Sequence, residues 1–207
     1  METTLFILFI AFLVFFAVQF VYQSFVFSRF SFVKPKKETL KSVPVSVIVW
    51  AKNEYENLVT QLPVLVTQNY PNYELVLIDD ASNDETLDLF EAYEKQYSFV
   101  KLVKVKNNEA FWGNKKFALT LGIKAAKNEY LLFTDANCNV TSENWILEMT
   151  SHFSSKKTIV LGYGAYNKIK GSVLNKIIRF DAVISAIQYF SWAKIGIPYM
   201  GIGRNLA

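Results

Sequence analysis

Glycine is missing from the first 112 residues of this 207-residue chain and occurs only eight times in all. Dinucleotide-binding turns of the G-x-G-x-x-G type need glycine directly after a first strand, where backbone must approach pyrophosphate. The chain has no such turn. A single cysteine, Cys138, excludes an internal disulfide framework and fits a reducing compartment. The leader METT contains no Lys or Arg, and the apolar run behind it is too long for a cleaved secretory signal. Internal repeats and low-complexity tracts are absent after that run. The net charge is only +4, and most basic residues are scattered. One group (Arg29, Lys34, Lys36, Lys37, Lys41) directly follows the apolar run, where membrane topology accounts for it, so no nucleic-acid partner is expected.

What is present begins with that run. Leu5 to Phe27 has Gln19, Gln23 and Ser24 as its only clearly polar members. At about 1.5 Å per residue, such a helix crosses a hydrocarbon core of roughly 30 Å. Residues 1–28 are therefore expected to be a single-pass cell-membrane anchor, and the basic flank places residues 28 onward in the cytoplasm. Residues 29–43 read as a basic, Pro-containing linker. Residues 44–165 form the expected α/β domain. Residues 166–207 read as a helical region that is incomplete at its end; from Ser172 on they are apolar and aromatic, with charges that include Lys176, Arg179, Asp181 and Lys194, and suit a buried or membrane-facing helix.

Within the α/β domain, VSVIVW (45–50), YELVLI (73–78), VKLVKV (100–105), YLLFT (130–134) and TIVLGYG (158–164) read as five strands. Between them lie helical stretches over about 56–68, 82–97, 114–126 and 141–153. Pro63 predicts a kink or a broken start in the first. Ser82 or Asn83 is expected to cap the second, and Thr141 or Ser142 the fourth. Strands alternating with helices argue βαβ units and a mostly parallel sheet covered on both faces.

In such sheets ligands gather at the carboxyl ends of the strands. Those ends read AKNE after the first strand, DDASND after the second and DAN after the fourth; the helix after the third opens with GNKK. Acids beside an anionic nucleotide need a divalent cation between them, or must accept hydrogen bonds from base and ribose. Duller readings exist. Asp135-Ala136-Asn137 has the composition of a plain turn, and Asp84 and Glu85 suit a helix first turn, with Asp84 a secondary nucleotide candidate. An acidic phosphoacceptor pair would follow the first strand, not the second as Asp79-Asp80 does. Cys138 reads as a small buried thiol. His152 suits a helix C-terminus, while Trp112, Trp145 and Trp192 suit the core. Lys116 rivals Lys115 for the one basic role.

Taken in order, VSVIVWAKNE, LVLIDDASNDET, the K-x-x-A-L of Lys115 to Leu119, EYLLFTDANC and the closing G-x-G-R-N-L-A resemble the motifs of family-2 glycosyltransferases, over about residues 43 to 207. The resemblance implies a GT-A-like, Rossmann-type α/β sheet behind one transmembrane helix. It also implies transfer of a sugar, with inversion, from a nucleotide-diphosphate donor, usually a UDP-sugar, to a glycan or lipid-linked acceptor. By position, Ala51 and Glu54 would line the base and ribose pocket and Asp80 would accept from uracil. Lys115 would supply positive charge. Asp135 and Asn137 would stand at the two ends of the D-x-D motif that holds ribose and a Mg²⁺ or Mn²⁺ ion. The family has an aspartate where this chain has Asn137, which brings no charge to a metal. The family's catalytic base would fall beyond Ala207. A non-catalytic nucleotide-sugar-binding or scaffold protein is the alternative.

Overall fold

Alternation of apolar side chains along each strand sets which face each residue buries, and the computed structural model follows it. The structure describes residues 2–31, 42–106, 115–154 and 158–207. Most of the basic linker, together with Trp112, Gly113 and Asn114, lies outside these. Four strands, β1 (Val45–Ala51), β2 (Tyr73–Asp79), β3 (Val100–Lys104) and β4 (Tyr130–Asp135), pair in the order β3-β2-β1-β4, all parallel. Helices α3 (Tyr55–Val66), α4 (Thr86–Gln96) and α5 (Lys115–Ala125) return the chain between strands.

Val45, Val47, Val49, Leu75 and Leu77 point to one face, against Leu58, Leu62 and Leu65 of α3, Phe90 of α4, and Ile146 and Met149 of α6 (Trp145–Thr150). Ile48, Val76 and Ile78 point to the other, against Ala118 of α5. Each such side chain, fully buried, contributes about 1.5–3 kcal/mol. Helix α5 sits close to the sheet at Gly122, where an added Cβ would lie 2.3 Å from Cδ1 of Ile78. Helices thus cover both faces, as the sequence predicts.

The amino end of the sheet is closed by Glu74. Its Oε1 accepts from the Ser46 hydroxyl and, at 2.7 Å, from the Lys127 amide, while the Asn128 amide donates to Ser46 Oγ at 3.1 Å. This buried carboxylate fixes the turn from α5 into β4.

The chain divides into two units. One contains Glu38–Gly164 with Ile202–Ala207 and holds the sheet; the other contains Met1–Lys37 with Ala165–Gly201. In the second, α1 (Glu2–Val21) runs through a π-helical turn (Tyr22–Phe27) into α2 (Ser28–Ser31). This continuous helix, Glu2–Ser31, is long and apolar enough to cross a membrane. Helix α7 (Val173–Lys194) packs against its C-terminal end, with Tyr22 near Trp192 and Phe30 stacked on Phe190 at 5.3 Å.

Several boundaries differ from expectation. The fifth strand, 158–164, is only a bridge at Leu161, paired antiparallel with Leu206. Leu206 is bridged to Phe133 as well, so residues 202–207 belong with the sheet rather than with the helical region 166–201. The helix over 141–153 shortens to Trp145–Thr150 with Asn144 at its cap position, because the Ser142 hydroxyl instead accepts from the Asn144 amide at 3.1 Å. Helix α4 starts at Thr86 behind Glu85, not behind Ser82 or Asn83. Those two residues are taken up in bonds to the neighbouring loop.

Candidate functional site

Parallel pairing puts the ends of β1, β2 and β4 at one rim: Ala51 lies beside Asp79, and Trp50 beside Asp135. Two corners result. At the first, between β1 and β2, the Asp80 amide donates to the Ala51 carbonyl at 2.9 Å. The loops then lock together. Asn53 adopts φ 54°, a conformation Asn tolerates by bonding nearby backbone. Its amide donates to Ser82 Oγ at 3.0 Å, and its Oδ1 accepts from the Asn83 amide at 2.7 Å. The Glu54 amide donates to Thr86 Oγ1 at 3.0 Å.

Asp84 accepts from the Tyr55 amide at 3.2 Å and the Thr86 amide at 3.1 Å. Burial pushes the Asp84 carboxyl up, but hydrogen bonds from Thr86 and Tyr55 outweigh it and hold the group below the usual carboxylate range. Asp84 is therefore committed to the loop scaffold. Glu54 turns to its own helix, its Oε2 accepting from Asn57 Nδ2 at 2.6 Å. Asp80 is buried, and among the described residues its carboxylate accepts no hydrogen bond. A buried carboxylate in that condition has acceptor capacity left for a ligand.

The second corner stands at the end of β4. The Ala136 amide donates to the Trp50 carbonyl and the Cys138 amide to the Asp135 carbonyl, both at 3.0 Å, so the chain turns sharply after Asp135. Lys115, the first residue of α5, places Nζ 2.6 Å from Asp135 Oδ1 and 4.3 Å from the centre of the Trp50 ring. Arg204 Nε lies 3.9 Å from Asp135 Oδ2. Arg204 sits on a 3₁₀ turn, Gly203–Asn205. That turn is held because the Phe133 amide donates to the Leu206 carbonyl at 2.7 Å and Trp145 Nε1 donates to Asn205 Oδ1 at 3.0 Å. These residues border a cleft of about 480 Å³ lined by the charged Lys115, Asp135 and Arg204 together with the apolar Leu119, Phe133 and Leu206.

The structure thus joins Lys115 to Asp135, and Lys115 rather than Lys116 makes that bond. Ala51, Glu54 and Asp80 lie along the same rim at the other corner. Arg204 was missed by the sequence reading; its only local signal is its place inside G-x-G-R-N-L-A. Trp145, expected in the core, also serves as the donor that fixes Asn205.

For a divalent cation the corner offers Asp135 and Asn137. Among the described residues, no group of three or more His, Cys, Asp or Glu side chains gathers to share an ion. Asn137 is exposed, and its Oδ1 accepts only a weak 3.6 Å contact from Cys138 Sγ. One carboxylate and one amide oxygen fit an ion that takes most ligands from water and phosphate, not one caged by protein. Burial pushes the Cys138 thiol up, which disfavours the thiolate a nucleophile requires.

This all-parallel sheet, with Asp79, Asp80 and Asp135 at its carboxyl ends, is of the Rossmann-type α/β class. The model for Glycosyl transferase family 2 matches residues 46–199, and the chain belongs to that family. The poly-beta-1,6-N-acetyl-D-glucosamine synthase of Staphylococcus epidermidis is 29% identical over 167 residues, covering 78% of this chain and 38% of that protein. The cholesterol galactosyltransferase of Borreliella burgdorferi is 34% identical over 98 residues, 47% of this chain and 26% of that protein. The chain therefore spans well under half the length of these curated relatives. The mannosyltransferase PcManGT from Pyrobaculum calidifontis, solved with GDP-Man and Mn²⁺, superposes with a TM-score of 0.54 at 22% identity, over 66% of this chain and 40% of that one. At that identity the likeness speaks for fold, and the GT-A-like class expected from the sequence holds.

Proposed function

We propose that this chain is the donor-binding part of a membrane-anchored, inverting glycosyltransferase that takes a sugar from a nucleotide diphosphate, most simply a UDP-sugar, to a glycan or lipid-linked acceptor. The observation that carries the reading is Asp135 at the tip of β4, gripped by Lys115 and Arg204 over a cleft of about 480 Å³. Two cations around one carboxylate leave an excess positive charge where a diphosphate would lie.

In this reading Asp80 accepts from the base, Ala51 and Glu54 border base and ribose, and Lys115 and Arg204 turn from Asp135 toward the phosphates. A Mg²⁺ or Mn²⁺ ion, held by Asp135 and Asn137, would offset charge on the departing nucleoside diphosphate. In this reading the domain lies on the cytoplasmic side of the cell membrane.

The exposed, uncharged amide of Asn137 favours a second reading, a nucleotide-sugar-binding protein without turnover. Calorimetric titration of the detergent-solubilised chain with UDP-sugar and Mn²⁺ tests the binding common to both. Dissociation constants of about 1 mM or tighter, near −4 kcal/mol, are expected. Absence of heat at saturating donor would remove both readings, whereas sugar transfer by a longer form of the protein would remove the second.

A further inference from the structure

Among the described residues, helix α7 leaves one face without a partner. Its inward residues, Asn175, Ala186 and Tyr189, are buried. Val173, Ile177 and Phe180, spaced i, i+4, i+7 on the opposite side, are 67%, 59% and 68% exposed, with Leu174 beside them. The approach to the helix is pinned to its first turn. Asn175 Oδ1 accepts from the Ile169 amide at 2.9 Å, its Nδ2 donates to the Asn167 carbonyl at 3.0 Å, and the Ser172 hydroxyl caps the Asn175 amide. Ile169, also exposed, is thereby fixed at the start of the same helix.

Two further observations identify what covers this face. The other end of α7 packs on the C-terminal end of the apolar helix Glu2–Ser31, through Tyr22 with Trp192 and Phe30 with Phe190. The helix that bears the patch is thus also packed on the helix long and apolar enough to cross a bilayer. Residues 165–201 also carry five basic side chains, Lys168, Lys170, Lys176, Arg179 and Lys194, against one acid, Asp181. An apolar stripe flanked by cations suits the headgroup–acyl boundary of an anionic membrane.

We propose that the Val173–Ile177–Phe180 face of α7 docks on an anionic bilayer surface, as a second membrane contact beside the anchor. It rests on the anchor reading of α1 and adds to it.

The test uses the full chain in vesicles, with Cys138→Ser as background and one environment-sensitive fluorophore per variant. Ile177→Cys and Phe180→Cys report α7, Phe12→Cys reports the anchor, and Lys95→Cys reports the aqueous side of α4. Val173→Cys and Leu174→Cys repeat the α7 measurement if either first variant misfolds. Lipid-borne nitroxides are expected to quench the 177 and 180 labels and spare the 95 label, more strongly with phosphatidylglycerol than with phosphatidylcholine alone. Lys176→Gln and Arg179→Gln should each lower the docked-to-undocked ratio about fivefold.

Quenching at 12 with solvent-exposed labels at 177 and 180 overturns the docking while the anchor stands. Labels hidden from aqueous quenchers yet untouched by lipid nitroxides overturn it in favour of a protein cover, a second copy included. Quenching that ignores anionic lipid overturns the charge half of the proposal. No quenching at any position, 12 included, overturns docking and anchor together.

Discussion

Two buried carboxylates stand at opposite ends of the same sheet, and their partners differ. Glu74, at the amino end, is met by short neutral donors: the Ser46 hydroxyl and the Lys127 amide. Asp135, at the carboxyl end, is met by long cationic side chains that are 40% and 44% exposed. Backbone and hydroxyl donors cannot leave without unfolding the turn that carries them. Lysine and arginine heads can swing away at little cost, because water replaces what they lose. Glu74 is therefore built into the fold, and Asp135 into a site whose partners can be exchanged for a ligand.

Glu74→Ala should break that comparison most sharply on the structural side. Losing the acceptor leaves buried donors unpaired and should cost about 3 kcal/mol in urea unfolding, with donor affinity of the folded fraction unchanged. Asp135→Ala should do the reverse. Donor binding by calorimetry should weaken about thirtyfold, near 2 kcal/mol, while the unfolding midpoint hardly moves, since both cationic partners are partly exposed and water replaces the pair they lose. Equal stability losses for the two variants would erase the distinction. Asn137→Asp sharpens the site half: an added charge beside the cation should tighten Mn²⁺ binding by about 1 kcal/mol or more, and unchanged affinity would remove Asn137 from the ion.

The smallest expected effect concerns the loop beside Asp80. Ala81 holds φ 52°, where a Cβ costs roughly 1–2 kcal/mol, so Ala81→Gly should gain about 0.5–1 kcal/mol after glycine's entropy is counted. A loss of stability there would show that the loop is not strained.

Much of this was legible in the chain. The β-branched runs at 45–50 and 73–78 announced central strands because residues buried on both faces of a parallel sheet must nearly all be apolar. Asp80, Lys115 and Asp135 sit where strands end or helices begin, positions that local pattern reveals, but only the family resemblance singled out Asp80 beside Asp79 and Lys115 beside Lys116. Arg204 was not, since it reaches Asp135 through a bridge between Leu206 and Phe133. The cap of α4 was misplaced for a related reason: Ser82 and Asn83 bond to Asn53, some thirty residues earlier.

Sequence alone determined four of the strands, the helices between them, the parallel α/β class, the apolar N-terminal helix and the acidic rim, because periodicity and strand-end chemistry are local properties. Only the tertiary structure decided which acids are scaffold and which are available, since that depends on donors arriving from distant segments. It assigned Asp84 to the loop, Glu54 to its own helix, and Asp135 to Lys115 and Arg204. It also returned residues 202–207 to the sheet and left one face of α7 bare, outcomes of packing that no short window of residues encodes.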